Sequence, residues 1–250
     1  MFRQYPTPEG SVEHVLLDRW LYLCAATKDV LYPREVPSRP MYKRGSRPEM
    51  ERFVQGACTT ERGLGVVVER ICTELARLAG RNNTPWPDLL FGGTEEEILL
   101  RGTNLCGDLS RVACVAFQVA GLPSRLVFLA DPTRPYYGHG IIEVSRGGNW
   151  GAVDCLSNVV YRKADASPAS VWELQQDPDL VVRHQAGEFT TYVQASQFRD
   201  AAIVDYPVEE RASFSYGVGR ANSYYAAILE MADKGWPGGS RWLHGEDSQE

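Results

Sequence analysis

The stretch Thr103-Asn104-Leu105-Cys106-Gly107-Asp108-Leu109-Ser110-Arg111-Val112 decides how the chain is read. It sets a cysteine at the point where helix-period apolar residues begin. Leu109, Val112, Ala113, Ala116, Phe117 and Ala120 then form one wide stripe. Gly121 and Pro123 close the segment, as they would close a buried helix. Cys106 is thus expected at a helix N-terminus, where free N–H groups and the helix dipole favour a thiolate. Cys114 falls inside the stripe and reads as inert core.

Downstream the pattern changes to short β-rich runs: RLVFLA (125–130), HGIIEVSR (139–146) and NWGAVDC (149–155). Gly147-Gly148 between the last two is a tight-hairpin signal. His139 opens the first arm of this hairpin and Asp154 lies near the end of the second, which predicts cross-strand neighbours within about 5 Å. A buried helix laid on that sheet would bring Cys106 alongside. An imidazole next to a thiol takes its proton, and an acid behind the imidazole orients it. Asp131, after the RLVFLA run, is a competing orienter, although its place before Pro132 suits a turn residue better. The Cys106 N–H and the Asn104 side chain are candidate oxyanion donors. Asp108 is a candidate helix cap and Arg111 a partner for a nearby acid.

Upstream, the spacing of Leu64, Val67, Val68, Ile71, Leu75 and Leu78 predicts a helix over 61–80. Thr94 and Glu97 can form a capping box ahead of TEEEILL. After Tyr161, Ser167 and Pro168 read as N-cap and N1 of another helix. The expected fold class is α+β, with a buried nucleophile helix on an antiparallel sheet and a smaller C-terminal α/β subdomain. The expected organisation is an N-terminal segment packing on the core (1–60), a core (61–164) and a C-terminal subdomain shaping a cleft (165–250).

Composition narrows the function classes. The chain has 250 residues, 44% apolar, with a net charge of -6. That balance lacks the basic footprint of a nucleic-acid binder and does not favour an anionic membrane surface. No segment has the apolar length of a bilayer span, and the first residues lack a signal-peptide pattern. The expectation is a cytoplasmic protein with no membrane partner. The six cysteines show no CxxC spacing and the four histidines are scattered. Free thiols, no metal and no cofactor are therefore expected.

The ordered set of Cys106 opening a helix, GLPSR (121–125), His139 in GHGIIEV, and Trp150 and Asp154 in NWGAVD resembles the transglutaminase-like cysteine enzymes. FGGTEEEILLRGTNLC (91–106) is similar to the lead-in of a bacterial branch of that superfamily. The resemblance implies a papain-like core with Cys106 as nucleophile, His139 as base and Asp154 as orienter. It departs from the family pattern in lacking an aromatic residue after the histidine, where Gly140 and Ile141 stand, and in carrying Cys155 where Pro or Thr is common. The implied activity is acyl transfer through a thioester acyl-enzyme on an amide or thioester substrate, small-molecule or peptide, in a biosynthetic setting. Three other readings stay open. One is an off-loading cyclase performing a Dieckmann-type condensation on a thioester held by an acyl carrier protein. The others are an amidase or peptidase, and a catalytically silent scaffold.

Overall fold

A computed structural model of the chain describes residues 20–33, 42–55, 73–74, 90–103, 105–129, 139–185, 195–206 and 215–217. Its elements in chain order are β1 (Trp20–Tyr22), α1 (Lys28–Leu31), α2 (Pro48–Val54), β2 (Leu90–Gly92), α3 (Glu95–Arg101) and α4 (Cys106–Val119). Then follow β3 (Ser124–Leu129), β4 (His139–Arg146), β5 (Asn149–Asp154), β6 (Val159–Val160), α5 (Val171–Gln176) and α6 (Pro178–Gln185). A 3-10 turn (Ala195–Arg199), β7 (Ala201–Val204) and β8 (Ser215–Gly217) complete the described chain. The helix expected over 61–80 lies outside the described residues apart from 73–74, which are helical.

The fold is mixed α+β. Six strands form a sheet in the order β1-β7-β3-β4-β5-β6, and each neighbouring pair is antiparallel. β2 and β8 form a separate two-stranded ladder. β7, from the C-terminal segment, sits between β1 and β3, so that segment is woven into the main sheet. No helix among the described residues is long and apolar enough to cross a membrane.

Local chemistry explains the elements around the site. α4 is buried almost all round, as an apolar helix in the middle of a core must be. It ends in a Schellman motif: Gly121 takes φ +83°, its N–H donates to Gln118 O at 2.9 Å, and Leu122 N–H donates to Phe117 O at 2.8 Å. The β4–β5 turn has Gly147 and Gly148 both at positive φ, the requirement of a type I′ hairpin. Thr94 and Glu97 form the expected capping box on α3.

The helix expected to start at Ser167-Pro168 instead starts at Val171. Ser170 is its N-cap and closes a capping box with Glu173. Pro168 bridges to Arg162 in an extended segment, and Ala169 pairs through its backbone with Tyr161 and Ala152. Backbone pairing along β5 keeps the Ser167 region extended, so the next serine with a glutamate three residues on takes the cap.

Both faces of the sheet are covered. On one, α4 packs through Leu109, Val112 and Phe117 against Leu126, Ile142 and Val153. On the other, Val127, Ile141, Ala152 and Ile203 meet Leu174 of α5 and Phe198.

Charged groups tie the helices together. Glu95 is fully buried and accepts from Arg111 Nη2 at 2.7 Å, Tyr206 Oη at 2.7 Å and Arg47 Nη2 at 2.5 Å. Arg47 also binds Glu96 through Nε and Nη2, each at 2.7 Å. Breaking a buried pair by removing one partner strands the other charge. Glu95→Ala is therefore expected to lower the unfolding free energy by about 3–5 kcal/mol, read from urea denaturation.

Candidate active site

α4 begins on Cys106 with Leu105 as its N-cap, and among the described residues no side chain caps it there. The first N–H groups of a helix have no intrahelical acceptor, so this uncapped turn is an anion-favouring end. Asp108, the expected cap, faces elsewhere. Its carboxylate accepts from Gly92 N at 3.1 Å, Arg101 Nη2 at 3.0 Å and Thr103 Oγ1 at 3.2 Å. Thr103 Oγ1 in turn accepts from Leu105 N at 3.2 Å. Asp108 therefore anchors the turn ahead of Cys106. Arg111 pairs with Glu95 and donates to Gly93 O at 2.8 Å.

β4 delivers His139 to this helix start. The ladder Ile142↔Val153, continued one step, puts Asp154 opposite Ile141. His139 and Asp154 are thus a diagonal pair on one face, not the directly opposed neighbours expected from the hairpin. The right-length side chains close the diagonal: His139 Nε2 lies 3.0 Å from Asp154 Oδ2. The Cys106 thiol lies close enough to the imidazole to favour its charged form. Since Asp154 engages Nε2, the ring nitrogen left for the sulfur is Nδ1. Exposure falls from Cys106 (8%) through His139 (4%) to Asp154 (0%), so Cys106 is the least buried residue of the three.

Alternation along β4 sends Gly140, Ile142 and Val144 towards α4, and His139 and Ile141 towards the other face. Cys106 and His139 therefore come from opposite sides of the strand. They meet because α4 starts where β4 starts and Gly140 puts no side chain between them. A Cβ at 140 would lie 3.2 Å from Gly107 Cα, 3.3 Å from Gly107 N and 3.4 Å from Cys106 C, all backbone atoms. The glycine after the histidine thus has a steric reason.

Burial opposes a charged imidazole at 139, but the Asp154 carboxylate and then Cys106 outweigh it and push the group up to about 10. At Asp154 burial also opposes the charged form, yet His139 and Ser157 hold the carboxyl below its ordinary value. The Asp154 carboxylate is fully engaged: Oδ1 accepts from Leu156 N at 2.9 Å and Ser157 N at 3.2 Å, and Oδ2 accepts from Ser157 Oγ at 2.8 Å. The sequence reading passed over Ser157. A serine three residues after an aspartate at a strand end is the pattern that could have flagged it.

The other fragments quoted from the sequence form a support behind the site. Arg125 donates to Glu143 Oε2 through Nε at 2.8 Å and Nη2 at 2.6 Å. Its guanidinium lies 4.0 Å from the Trp150 ring centroid and 4.5 Å from that of Tyr32. GLPSR, GHGIIEV and NWGAVD therefore interlock through Arg125, Glu143 and Trp150. Asn104 and Asp131 lie outside the described residues. Cys24, Cys106, Cys114 and Cys155 are in no disulfide. Among the described residues no cluster of His, Cys, Asp and Glu could hold a metal.

Two outcomes are expected. The raised His139 value means that its charge stabilises the fold fully below the free-imidazole value of about 6.5. That stabilisation is lost as the pH rises through about 10. The depressed Asp154 carboxyl adds stability that is lost on acidification. Histidine ¹⁵N spectra should therefore show the His139 ring cationic from about pH 5 to about pH 9, with assignment by His139→Ala. Separately, Gly140→Ala should cost about 1–3 kcal/mol by overpacking and slow iodoacetamide alkylation of Cys106 at least about tenfold. Wild-type stability and alkylation in that variant would contradict the close-approach argument.

No protein-family model, no curated protein and no solved structure matches this chain.

Proposed function

We propose that the chain is a cysteine-nucleophile acyl-transfer enzyme with a papain-like core of transglutaminase type, working through a thioester on Cys106. The observation that carries this reading is His139 hydrogen-bonded to Asp154 with the Cys106 thiol beside it, at the start of α4. A cationic imidazole next to a thiol at a helix N-terminus favours the thiolate.

The chemistry follows in two half-reactions. The Cys106 sulfur attacks the acyl carbon and a C–S bond forms, moving the carbonyl π electrons onto oxygen. The Cys106 N–H at the helix start is a donor for that oxyanion. As the carbonyl re-forms, the bond to the leaving nitrogen or sulfur breaks, and the imidazolium gives that atom its proton. An acceptor then loses a proton to the neutral imidazole, attacks the thioester and expels the thiolate. Asp154 holds the ring in its tautomer and stabilises its cationic form throughout. The acceptor chooses among hydrolysis, amide formation and cyclisation, and the thioester is common to all three.

The test is direct. The native protein is incubated with a panel of acyl thioesters and glutaminyl peptides, rapidly quenched, and digested for mass spectrometry. The expected result is an acyl adduct on the peptide carrying Cys106, sensitive to hydroxylamine and absent from Cys106→Ala. Asp154→Asn should slow its formation by about 10³–10⁴-fold. Turnover of a panel member that survives Cys106→Ala would sink the reading. So would slow, uniform iodoacetamide labelling of all the cysteines in the native protein, which is the behaviour of a silent scaffold.

A further inference from the structure

The geometry points to Ser157 as a positioning residue, a fourth member of the group, whose hydroxyl shares the Asp154 oxygen that faces His139 and moderates its hold on the ring. The inference deepens the acyl-transfer reading and takes its functional consequence from it.

Asp154 is the last residue of β5, and the chain turns directly after it through residues 155–158. A carboxylate at a strand end is free to rotate about its own bond unless donors fix it. Oδ1 is fixed by two backbone N–H groups, from Leu156 and Ser157, which any residue there would supply. Oδ2 is the oxygen that faces His139, and its other donor is the Ser157 hydroxyl at 2.8 Å. Ser157 is itself buried, at 4% exposure, so its hydroxyl is held in the same enclosed setting. It is the contact on the working oxygen that a side chain controls.

Sharing Oδ2 has a consequence for the proton. A hydrogen bond to a carboxylate draws off some of its charge. With two donors on one oxygen, less negative charge reaches the imidazolium than with one. The two backbone N–H groups on Oδ1 keep the acid oriented, and the hydroxyl on Oδ2 moderates its grip on the ring. An imidazolium held too tightly gives up its proton slowly to a leaving group. Among the described residues, the titratable groups facing this pair are Cys106 from α4 and Tyr161 from the segment after β6. Burial and then the charge of Asp154 keep the Tyr161 phenol protonated.

The experiment compares wild type with Ser157→Ala, Ser157→Thr and Asp154→Asn, using two readouts. One is the ¹⁵N titration of His139. The other is the pH profile of iodoacetamide alkylation of Cys106, followed on its tryptic peptide. Ser157→Ala is expected to lower the acid dissociation constant of the His139 imidazolium about three- to tenfold and to move the alkaline limb of the alkylation profile with it. Ser157→Thr, which keeps the hydroxyl, should restore both. Asp154→Asn should move both the other way. If Ser157→Ala superimposes on wild type while Asp154→Asn shifts, the positioning role is overturned. A Ser157→Ala shift that threonine does not reverse also overturns it, because packing rather than the hydroxyl is then responsible. Failure of the acyl-transfer reading is distinguishable: no adduct would form on Cys106 with any substrate turned over, while the Ser157 shift and its rescue would stand.

Discussion

The contact of Gly140 with the Cys106-Gly107 backbone constrains everything around it. The proposed site would need a thiol from a helix on one face of the sheet and an imidazole from the other face. Sheet geometry forbids that meeting through the body of a strand, because alternate side chains point away from each other. Here the helix begins level with the first residues of β4, and a glycine lets the two backbones touch. The rest of α4 then has to lie along the sheet, which it does by burying its apolar stripe on β3 and β4. The Schellman stop at Gly121 returns the chain directly into β3. The start of α4 and its course over β3 and β4 are therefore tied to one close approach.

Buried charge is arranged to hold that approach and to stay out of the chemistry. Arg111, one turn into α4, is spent on Glu95, and Asp108 is spent on Gly92, Arg101 and Thr103. Both fasten the segment ahead of the helix, so the position of Cys106 does not depend on α4 alone. Behind the sheet, Arg125 is spent on Glu143 and stacked on Trp150. A buried ion pair adds little net stability compared with apolar packing, but an unpaired buried charge costs several kcal/mol. Such pairs disfavour any register in which they separate. A slip of β4 against β3 would part Arg125 from Glu143 and carry His139 away from α4 at the same time.

What the sequence disclosed follows from which signals are local. The period of Leu109 to Phe117, the Gly147-Gly148 turn and the Thr94–Glu97 box are each complete within a few residues, and each is present in the fold. The pairing of His139 with Asp154 was legible because a hairpin of known turn length has a nearly fixed register. The error was one of diagonal against direct opposition. The start of α5 was misplaced because long-range pairing of Ala169 with Tyr161 and Ala152 overrode the local cap at Ser167. The insertion of β7 between β1 and β3 had no local signal, since a four-residue apolar run does not name its neighbours. Ser157 was passed over because its meaning exists only once the carboxylate it binds is known to face a histidine. The steric meaning of Gly140 likewise needs the helix in place.

The electrostatics of the group bear on why its parts occur together. In the proposed resting state a thiolate, an imidazolium and a carboxylate would carry a net charge of about -1 in a nearly dry setting, which is costly unless donors surround it. Among the described residues the buried arginines Arg47, Arg111 and Arg125 are engaged by Glu95, Glu96 and Glu143. Among the described residues the compensation at the site comes from dipoles. Three donors, Leu156 N, Ser157 N and Ser157 Oγ, stabilise the carboxylate end, and the uncapped N-terminus of α4 stabilises the sulfur end. Dipoles of this kind are fixed by the fold and do not move as charge shifts. An arginine in their place would hold the sulfur as a permanent ion pair and oppose its conversion to a neutral thioester. For the proposed acyl transfer, hydrogen-bond donors at one end and a helix terminus at the other would lower the cost of the separated charges while leaving the sulfur free to react.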